Sequence, residues 1–492
     1  MIRSAPTRGL LAASALSLGA ATFTTASDAD ATWSIIIIDT ETKEIAIGSA
    51  TCLTFFDLKE GTPVLVVEKG GATAQALVDG GARNRSVIWS NLQFGVDPIE
   101  ILDVLKLIDG AHQSRQYGIV DTQGRALTFS GFNTLDWAGG VTGSTGTLVY
   151  AVQGNILTGE PVVLEAEAAI LNTPGDIPEK LMAAMEAARE MGGDGRCSCS
   201  PQDPTGCGSP PDQFTKSAHI AYMLIARPGD SDGNCTSGQG CATGDYFMDF
   251  NIANANFGDP DPVFTLRDWF DDWRVELQGR PDGVQSTTRQ TVETLRPDGQ
   301  SIATISFELL DWEGAAITAP IQSITVEHGP ESAGICDIGP VVDLGGGMYE
   351  FEVTAGVCTG LDEFRIQVDD GVRPVTIAPD PELRIEMPPD EFQLAAPTPG
   401  IAGETNTLCA SNGEPGSTVV FVYSTQLGST NTACGTLGIR APIVAGEAIV
   451  GADGVACIDG FVPRSFRGDT LYTQAVERES CARSNVSCWT FE

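Results

Sequence analysis

Apolar and polar positions follow two rhythms along the chain. Between residue 32 and about 280, short β-branched runs alternate with longer segments of helical period. Trp33 to Asp39 (WSIIIID) and Glu44 to Cys52 (EIAIGSATC) read as paired strands joined by a short polar turn. Tyr117–Asp121 and Arg125–Ser130 predict a hairpin turning through Thr122, Gln123 and Gly124, and Thr147–Gln153 and Ser217–Ala226 predict further strands. Three helices are marked. Asp97-Pro98-x-Glu100 is a capping signature ahead of Ile101, Leu102, Leu105 and Ile108, with Gly110 at the far end. Asp176 opens a second, with Leu181, Met182, Met185 and Met191 before Gly192-Gly193, and those methionines read as core packing. A third runs from about Pro262 through Leu266, Trp269, Phe270 and Trp273. Strand pairs separated by helices predict helices covering stacked antiparallel sheets.

From 281 to 385 the period becomes two throughout. Ile302–Phe307 and Met348–Val353 alternate between Gly, Pro and Asp turns, which predicts a small β-sandwich stapled by Cys336 and Cys358. A proline- and acid-rich junction follows at 386–394 (EMPPDEFQL), and the rest, to 492, is again short strands and turns. A chain of 492 residues suits three such domains, at 32–280, 281–385 and 386–492.

Composition changes the compartment. Arg3 and Arg8 precede a largely apolar run from Leu10 to Ala21, and Ala29-Asp30-Ala31 offers a small-x-small cleavage site, so residues 1–31 read as a secretory signal. That run is too short for a membrane anchor, and no later segment is long and apolar enough to span a bilayer. The expectation is a protein released to the extracellular, periplasmic or cell-surface space. Thirteen cysteines, with only three histidines, favour disulfides in an oxidising space over a zinc site, and the odd count leaves a thiol for which Cys52 is the candidate. The formal net charge is −37, and losing 1–31 removes Arg3 and Arg8 against Asp28 and Asp30, leaving it unchanged. A field of that sign repels nucleic acid and anionic membrane surfaces.

Familiar catalytic signatures are missing from the sequence. His112, His219 and His328 stand apart, and there is no Cys-x-x-Cys, no Gly-x-Ser-x-Gly elbow and no phosphate-binding loop. No cofactor or metal is expected. Asp230-Ser231-Asp232-Gly233-Asn234 hints at a calcium loop but lacks the later ligands of an EF-hand. One chemistry needs no histidine. Cleavage after Ala31 makes Thr32 the first residue of a strand, with its hydroxyl beside a free amine of pKa about 7.7–8.0 that serves as general base. Cleavage after Ala26 instead leaves Ser27 first and Thr32 inside the chain.

The stretches Thr32-Trp33-Ser34-Ile35, Ile45–Ala50, Ala72-Thr73-Ala74-Gln75-Ala76, Gly118-Ile119-Val120-Asp121 with Gly124-Arg125, Trp137–Gly140, Val152-Gln153-Gly154-Asn155 and Gly192-Gly193-Asp194 occur in this order. Together they make the region from Thr32 to about Ala226 resemble the bacterial family called domain of unknown function 1028. The resemblance implies the fold of N-terminal-nucleophile hydrolases, a four-layer αββα sandwich of the α+β class, here followed by two all-β domains. It also implies Thr32 as nucleophile, Gln75, Gln153 and Asn155 as oxyanion or substrate groups, Asp39 and Asp121 as residues orienting the amine, and Lys69 as the assisting lysine. Cysteine-bearing insertions at 195–215 and 228–258 depart from the shorter family members. Residues 281–385 resemble bacterial immunoglobulin-like domains of the invasin type, through Asp298-Gly299-Gln300-Ser301, Ala303-Thr304-Ile305 and Asp311-x-x-Gly314. The last region resembles β-rich C-terminal modules of secreted bacterial proteins, through Pro397–Gly400 and Phe461-Val462-Pro463.

Two readings of function follow. One is an exported hydrolase of an amide or peptide-like substrate acting through an acyl-threonine. The other is a non-catalytic secreted or surface protein on a retired hydrolase fold, binding a cell-surface or protein partner through its C-terminal β domains.

Overall fold

The computed structural model describes residues 32–492; the predicted signal at 1–31 lies outside the described residues. The first region contains ten strands. They are β1 (Thr32–Asp39), β2 (Ile45–Thr51), β3 (Pro63–Val66), β4 (Gly70–Ala76), β5 (Arg115–Asp121), β6 (Ala126–Ser130), β7 (Gly139–Thr145), β8 (Leu148–Asn155), β9 (Ile220–Ala226) and β10 (Met248–Ile252). Its helices are α1 (Leu58–Gly61), α2 (Arg83–Gln93), α3 (Pro98–Ile108), α4 (Pro161–Asn172), α5 (Ile177–Glu190), α6 (Gly195–Ser198) and α7 (Pro262–Glu276). Two antiparallel sheets stack, one in the order β10-β9-β2-β1-β8-β7 and the other β3-β4-β5-β6.

Period-two alternation builds four layers from these sheets. In β1, Ile35 and Ile37 face Leu181 and Met185 of α5, while Ile36 and Ile38 face the second sheet. Val64, Ala72, Tyr117 and Ile119 turn the outer face of the second sheet toward Ile88 and Leu92 of α2 and Ile101 and Leu105 of α3. The order is therefore helix, sheet, sheet, helix, as the α+β αββα expectation has it. Each fully buried Ile or Leu contributes about 1.5–3 kcal/mol.

Two all-β units follow. In the first, one sheet is built on Ile302–Glu308 and Met348–Thr354 and the other on Gly360–Asp369 and Glu382–Ile385, enclosing Phe307, Phe351 and Phe364. The second packs a three-stranded sheet containing Thr405–Ser411 and Ala456–Phe461 against a four-stranded sheet containing Thr418–Ser424 and Thr470–Glu477. No helix among the described residues is long and apolar enough to cross a membrane.

Twelve cysteines pair, as Cys52–Cys197, Cys199–Cys207, Cys235–Cys241, Cys358–Cys488, Cys409–Cys457 and Cys434–Cys481. Six disulfides fit an extracellular or surface protein. Two expectations need correction. Cys52 is bonded, because it stands just past the end of β2 against the 195–215 insertion. Cys336 is the free thiol among the described residues, and it does not reach Cys358, which bonds instead to the last strand of the chain. The acidic stretch at 230–234 is also spent on the fold. Asp230 accepts from the backbone of Arg227 and Phe247, and Asp232 from Val67 N.

Candidate active site

The layer between the two sheets changes character along the strands. At one end it is filled by Ile36, Ile38, Ile45, Ile47, Val149, Ala151 and Val120. Toward the other end the same face continues in polar residues. β1 ends there in Ser34 and Thr32, β2 in Ser49 and Thr51, β8 in Gln153 and Asn155, β4 in Thr73 and Gln75, and β5 in Gln116. All of these are buried. The register assembles them, since Thr32 stands opposite Asn155, Ser34 opposite both Ser49 and Gln153, and Gln75 opposite Gln116. Gly118 leaves the room, because a Cβ there would lie 3.0 Å from Cδ of Gln153.

Hydrogen bonds knit the cluster across the sheets. Gln75 Nε2 donates to Thr32 O at 2.9 Å and to Gln116 Oε1 at 2.8 Å. Gln116 Nε2 donates to Gly154 O at 2.7 Å and to Ser130 Oγ at 2.8 Å. Ser34 Oγ donates to Gln75 Oε1 and lies 2.9 Å from Ser49 Oγ, which donates to Trp33 O at 2.8 Å. Gln153 Nε2 donates to Thr73 Oγ1 at 2.8 Å, and Asn155 Nδ2 to Thr134 O at 3.2 Å. Within this network Thr32 Oγ1 and Gln153 Oε1 are buried without a hydrogen-bond partner among the described residues. A buried polar atom left unpaired costs about 1–3 kcal/mol, so each such atom calls for a physical reason.

The structure thus brings together Thr32, Gln75, Gln153 and Asn155, but Gln75 has both amide hydrogens committed and cannot donate to an oxyanion. Its place is to hold the Thr32 carbonyl. Asp39, Asp121 and Lys69 are elsewhere. Asp39 ends β1 roughly 23 Å from Thr32 at 3.3 Å per residue, where it caps the β1–β2 turn through Glu41 N and Thr42 N. Asp121 lies opposite Gly70 at the far end of its sheet and binds Arg125. Lys69 precedes Gly70 and faces Glu331 of the second region at 3.7 Å. A strand's two ends cannot serve one site, and sequence order alone does not say which end a residue joins.

Four groups not singled out as site residues close the Thr32 end. Asp194, fully buried, accepts from Cys52 N at 2.7 Å and pairs with Arg196 at 2.8 Å. Beside it a cleft of about 400 Å³ is lined by Cys52, Arg196, Cys197, Lys216, His219 and Phe257. Lys216 Nζ donates to Phe257 O at 2.9 Å and lies 3.2 Å from His219 Nδ1. Burial, and then the Lys216 charge, push the His219 pKa down, which favours the neutral ring. The Cys52 and Cys197 sulfurs and a His219 nitrogen cluster as metal ligands would, but the two sulfurs are bonded to each other, leaving the ring as the one ligand of that group. The signal for the site as a whole was present in the sequence: every second residue turns polar at one end of five neighbouring strands.

Residues 32–201 match the model of a family of unknown function, DUF1028. Among solved structures, a DUF1028 protein from Silicibacter pomeroyi is 19% identical, with 49% of this chain and 88% of that one covered and a TM-score of 0.35. The adhesin InvE of Yersinia pseudotuberculosis is 17% identical over 44% of this chain and 61% of its own, with a TM-score of 0.19. The Escherichia coli adhesin FdeC is 11% identical over 77% and 92%, with a TM-score of 0.20. No curated protein matches the chain.

Proposed function

We propose that this protein is an exported amide hydrolase whose nucleophile is Thr32, freed by removal of residues 1–31. The observation that carries the reading is the unpaired hydroxyl of Thr32, buried at the end of a strand inside a layer of amides and hydroxyls. Protein interiors do not leave such a group unmatched without cause.

The chemistry is that of a hydroxyl and its own amine. The free α-amine takes the proton of Thr32 Oγ1 as the oxygen attacks the substrate carbonyl. The tetrahedral intermediate collapses to an acyl-threonine, and the same proton passes to the departing amine. Water, deprotonated by the α-amine, then releases the acid. Gln153 Nε2 keeps one hydrogen beyond its bond to Thr73, making it the better placed oxyanion donor. Trp33 pairs with Ala50, so Thr51 and Cys52 continue β2 past the Thr32 end of β1, and the His219 cleft, which Cys52 lines, is the proposed seat of the substrate. In this reading the division at about 280 and 385 separates the hydrolase from two accessory β domains.

A second reading, a non-catalytic surface or secreted binding protein, draws on the closure of that end, where Thr32 is 1% exposed. The two are separated by intact mass and N-terminal sequencing of the naturally exported protein, followed by a β-lactone probe. The hydrolase reading expects a start at Thr32 and probe mass added to Thr32, kept in Thr32→Ser and absent in Thr32→Ala. A start at Ser27, or labelling indifferent to Thr32→Ala, would sink it.

A further inference from the structure

The last β unit does not close at one end. Its two sheets converge on Phe421, Ala475 and Ala410, then part around an opening of about 490 Å³. That volume falls in the usual range for small-molecule sites, about 300–1,000 Å³. Leu408, Ile458, Leu471, Phe466 and Phe491 line it, with Trp489 on one wall and Phe461 at the rim, 65% exposed.

Apart from the Tyr423 hydroxyl, the polar side chains in its wall are already committed. Trp489 Nε1 donates to Gly400 O at 3.1 Å, Thr473 Oγ1 to Ser487 O at 3.4 Å, and the Asn406 side chain makes four bonds to the 400–404 backbone. The wall therefore offers an occupant mainly apolar contact with the single Tyr423 hydroxyl, which favours a hydrocarbon over a sugar or a peptide backbone. The rim differs. Arg464 opens a single turn of 3₁₀ helix that ends in Phe466 and Arg467 follows it; both are exposed, and neither has an ion-pair partner among the described residues. Both arginines line an adjoining hollow together with Glu404 and Glu492, and no ion pair joins them to either carboxylate among the described residues. On a chain of net charge −37 with 28 basic residues, two exposed arginines without an ion-pair partner among the described residues, next to an apolar opening, are positions where an anionic head can be received.

We propose that this opening binds a single-chain amphiphile with an anionic head, a free long-chain fatty acid, its tail between the sheets and its carboxylate on Arg464 and Arg467. The site is independent of Thr32. It makes the third unit a ligand-binding module and not a spacer alone.

Gly460 supplies a direct test. It alternates with Ala456 and Ile458 on the inward face of its strand, and a Cβ there meets nothing within 4 Å. The Cβ of Gly460→Leu therefore has free space, and the rest of the side chain occupies the opening that Gly460 lines. Calorimetry on the full exported chain, with palmitate, hexadecanol and octanoate below their aggregation limits, separates the contributions. We expect saturable 1:1 palmitate binding, lost in Gly460→Leu. Arg464→Gln/Arg467→Gln should weaken palmitate by about tenfold or more and leave hexadecanol unchanged, because only the acid uses charge-assisted hydrogen bonds. The arginine pair lies on the surface, so its result stands even where Gly460→Leu alters folding. Absence of saturable binding, or palmitate affinity indifferent to the arginine pair, overturns the proposal. Flotation with phosphatidylglycerol vesicles without binding of monomeric palmitate would overturn it in favour of a lipid surface.

Discussion

At the scale of single residues, the site contains groups whose cost to stability is their evidence. Thr32 Oγ1 is buried and unpaired, and valine has the same shape without the hydroxyl. Thr32→Val is expected to raise the stability of the first region by about 1–2 kcal/mol, read as a higher urea midpoint, while ending reaction with the β-lactone. A midpoint that falls would mean that the hydroxyl has a partner, and the argument from an unmatched group would fail. Gln75 works in the opposite sense. With both hydrogens and its carbonyl oxygen bonded, it fixes the Thr32 carbonyl and belongs to positioning. Cys336 likewise has a structural setting. Burial and the neighbouring Asp362 carboxylate push its thiol up to about 12, far from a reactive thiolate.

At the scale of elements, legibility followed local chemistry. The three helices read from the sequence each begin with an aspartate whose side chain accepts a backbone N–H, with proline one or two residues on: Asp97, Asp176 and Asp261. The two long helices that escaped, α2 and α4, begin at Ala82 and Glu160 with no side-chain cap. The αββα order rested on resemblance as much as on pattern, because stacking of two sheets is a long-range fact that no period encodes. The site was half legible for the same reason. Thr32, Gln153 and Asn155 sit in motif-bearing stretches, whereas the exclusion of Asp39, Asp121 and Lys69 depends on which strand ends meet. Gly193 shows how tightly the motif binds the element. Its φ is +57°, and a Cβ would stand 2.5 Å from the Trp33 ring, next to the proposed nucleophile. Gly193→Ala is expected to cost about 2–4 kcal/mol through left-handed strain and overpacking. The displaced Trp33 should also slow β-lactone labelling of Thr32. Wild-type thermal stability in this variant would show that the loop yields more freely than the packing implies.

At the scale of the molecule, the units are joined by different means. Cys358–Cys488 ties the second unit to the third covalently. Between the first and second the join is ionic. Arg365 bonds both carboxylate oxygens of Glu68 at 2.9 and 2.8 Å, and Arg373 reaches Asp230 at 2.8 Å. At its centre, buried Arg227 sits between Glu44 at 2.6 Å and Asp282 at 3.0 Å, stacked on Phe247. Two carboxylates share one guanidinium, and their titrations separate accordingly. Asp282 is held below the usual carboxylate range by Arg227 and two backbone N–H groups, against its burial. Burial pushes Glu44 up to about 7, more than Arg227 pulls it down, with Asp176 and Asp282 adding to the rise. A carboxyl whose folded pKa is raised binds its proton more tightly when folded. Its contribution is therefore fully present below the unfolded value near 4.5 and disappears as pH rises through about 7. The first region should lose on the order of 3 kcal/mol between pH 4.5 and 8, because one pKa unit is worth about 1.4 kcal/mol. Asp282 acts oppositely but only in more acid solution, below its own ordinary pKa, so the two windows do not overlap. Urea midpoints of wild type and Glu44→Gln across this range test the assignment. Glu44→Gln keeps a hydrogen-bonding side chain beside Arg227 and should flatten the decline, whereas Arg227→Met, leaving two carboxylates without their cation, should move it to higher pH. An equal slope in wild type and Glu44→Gln would place the titration elsewhere and leave this ionic join indifferent to pH.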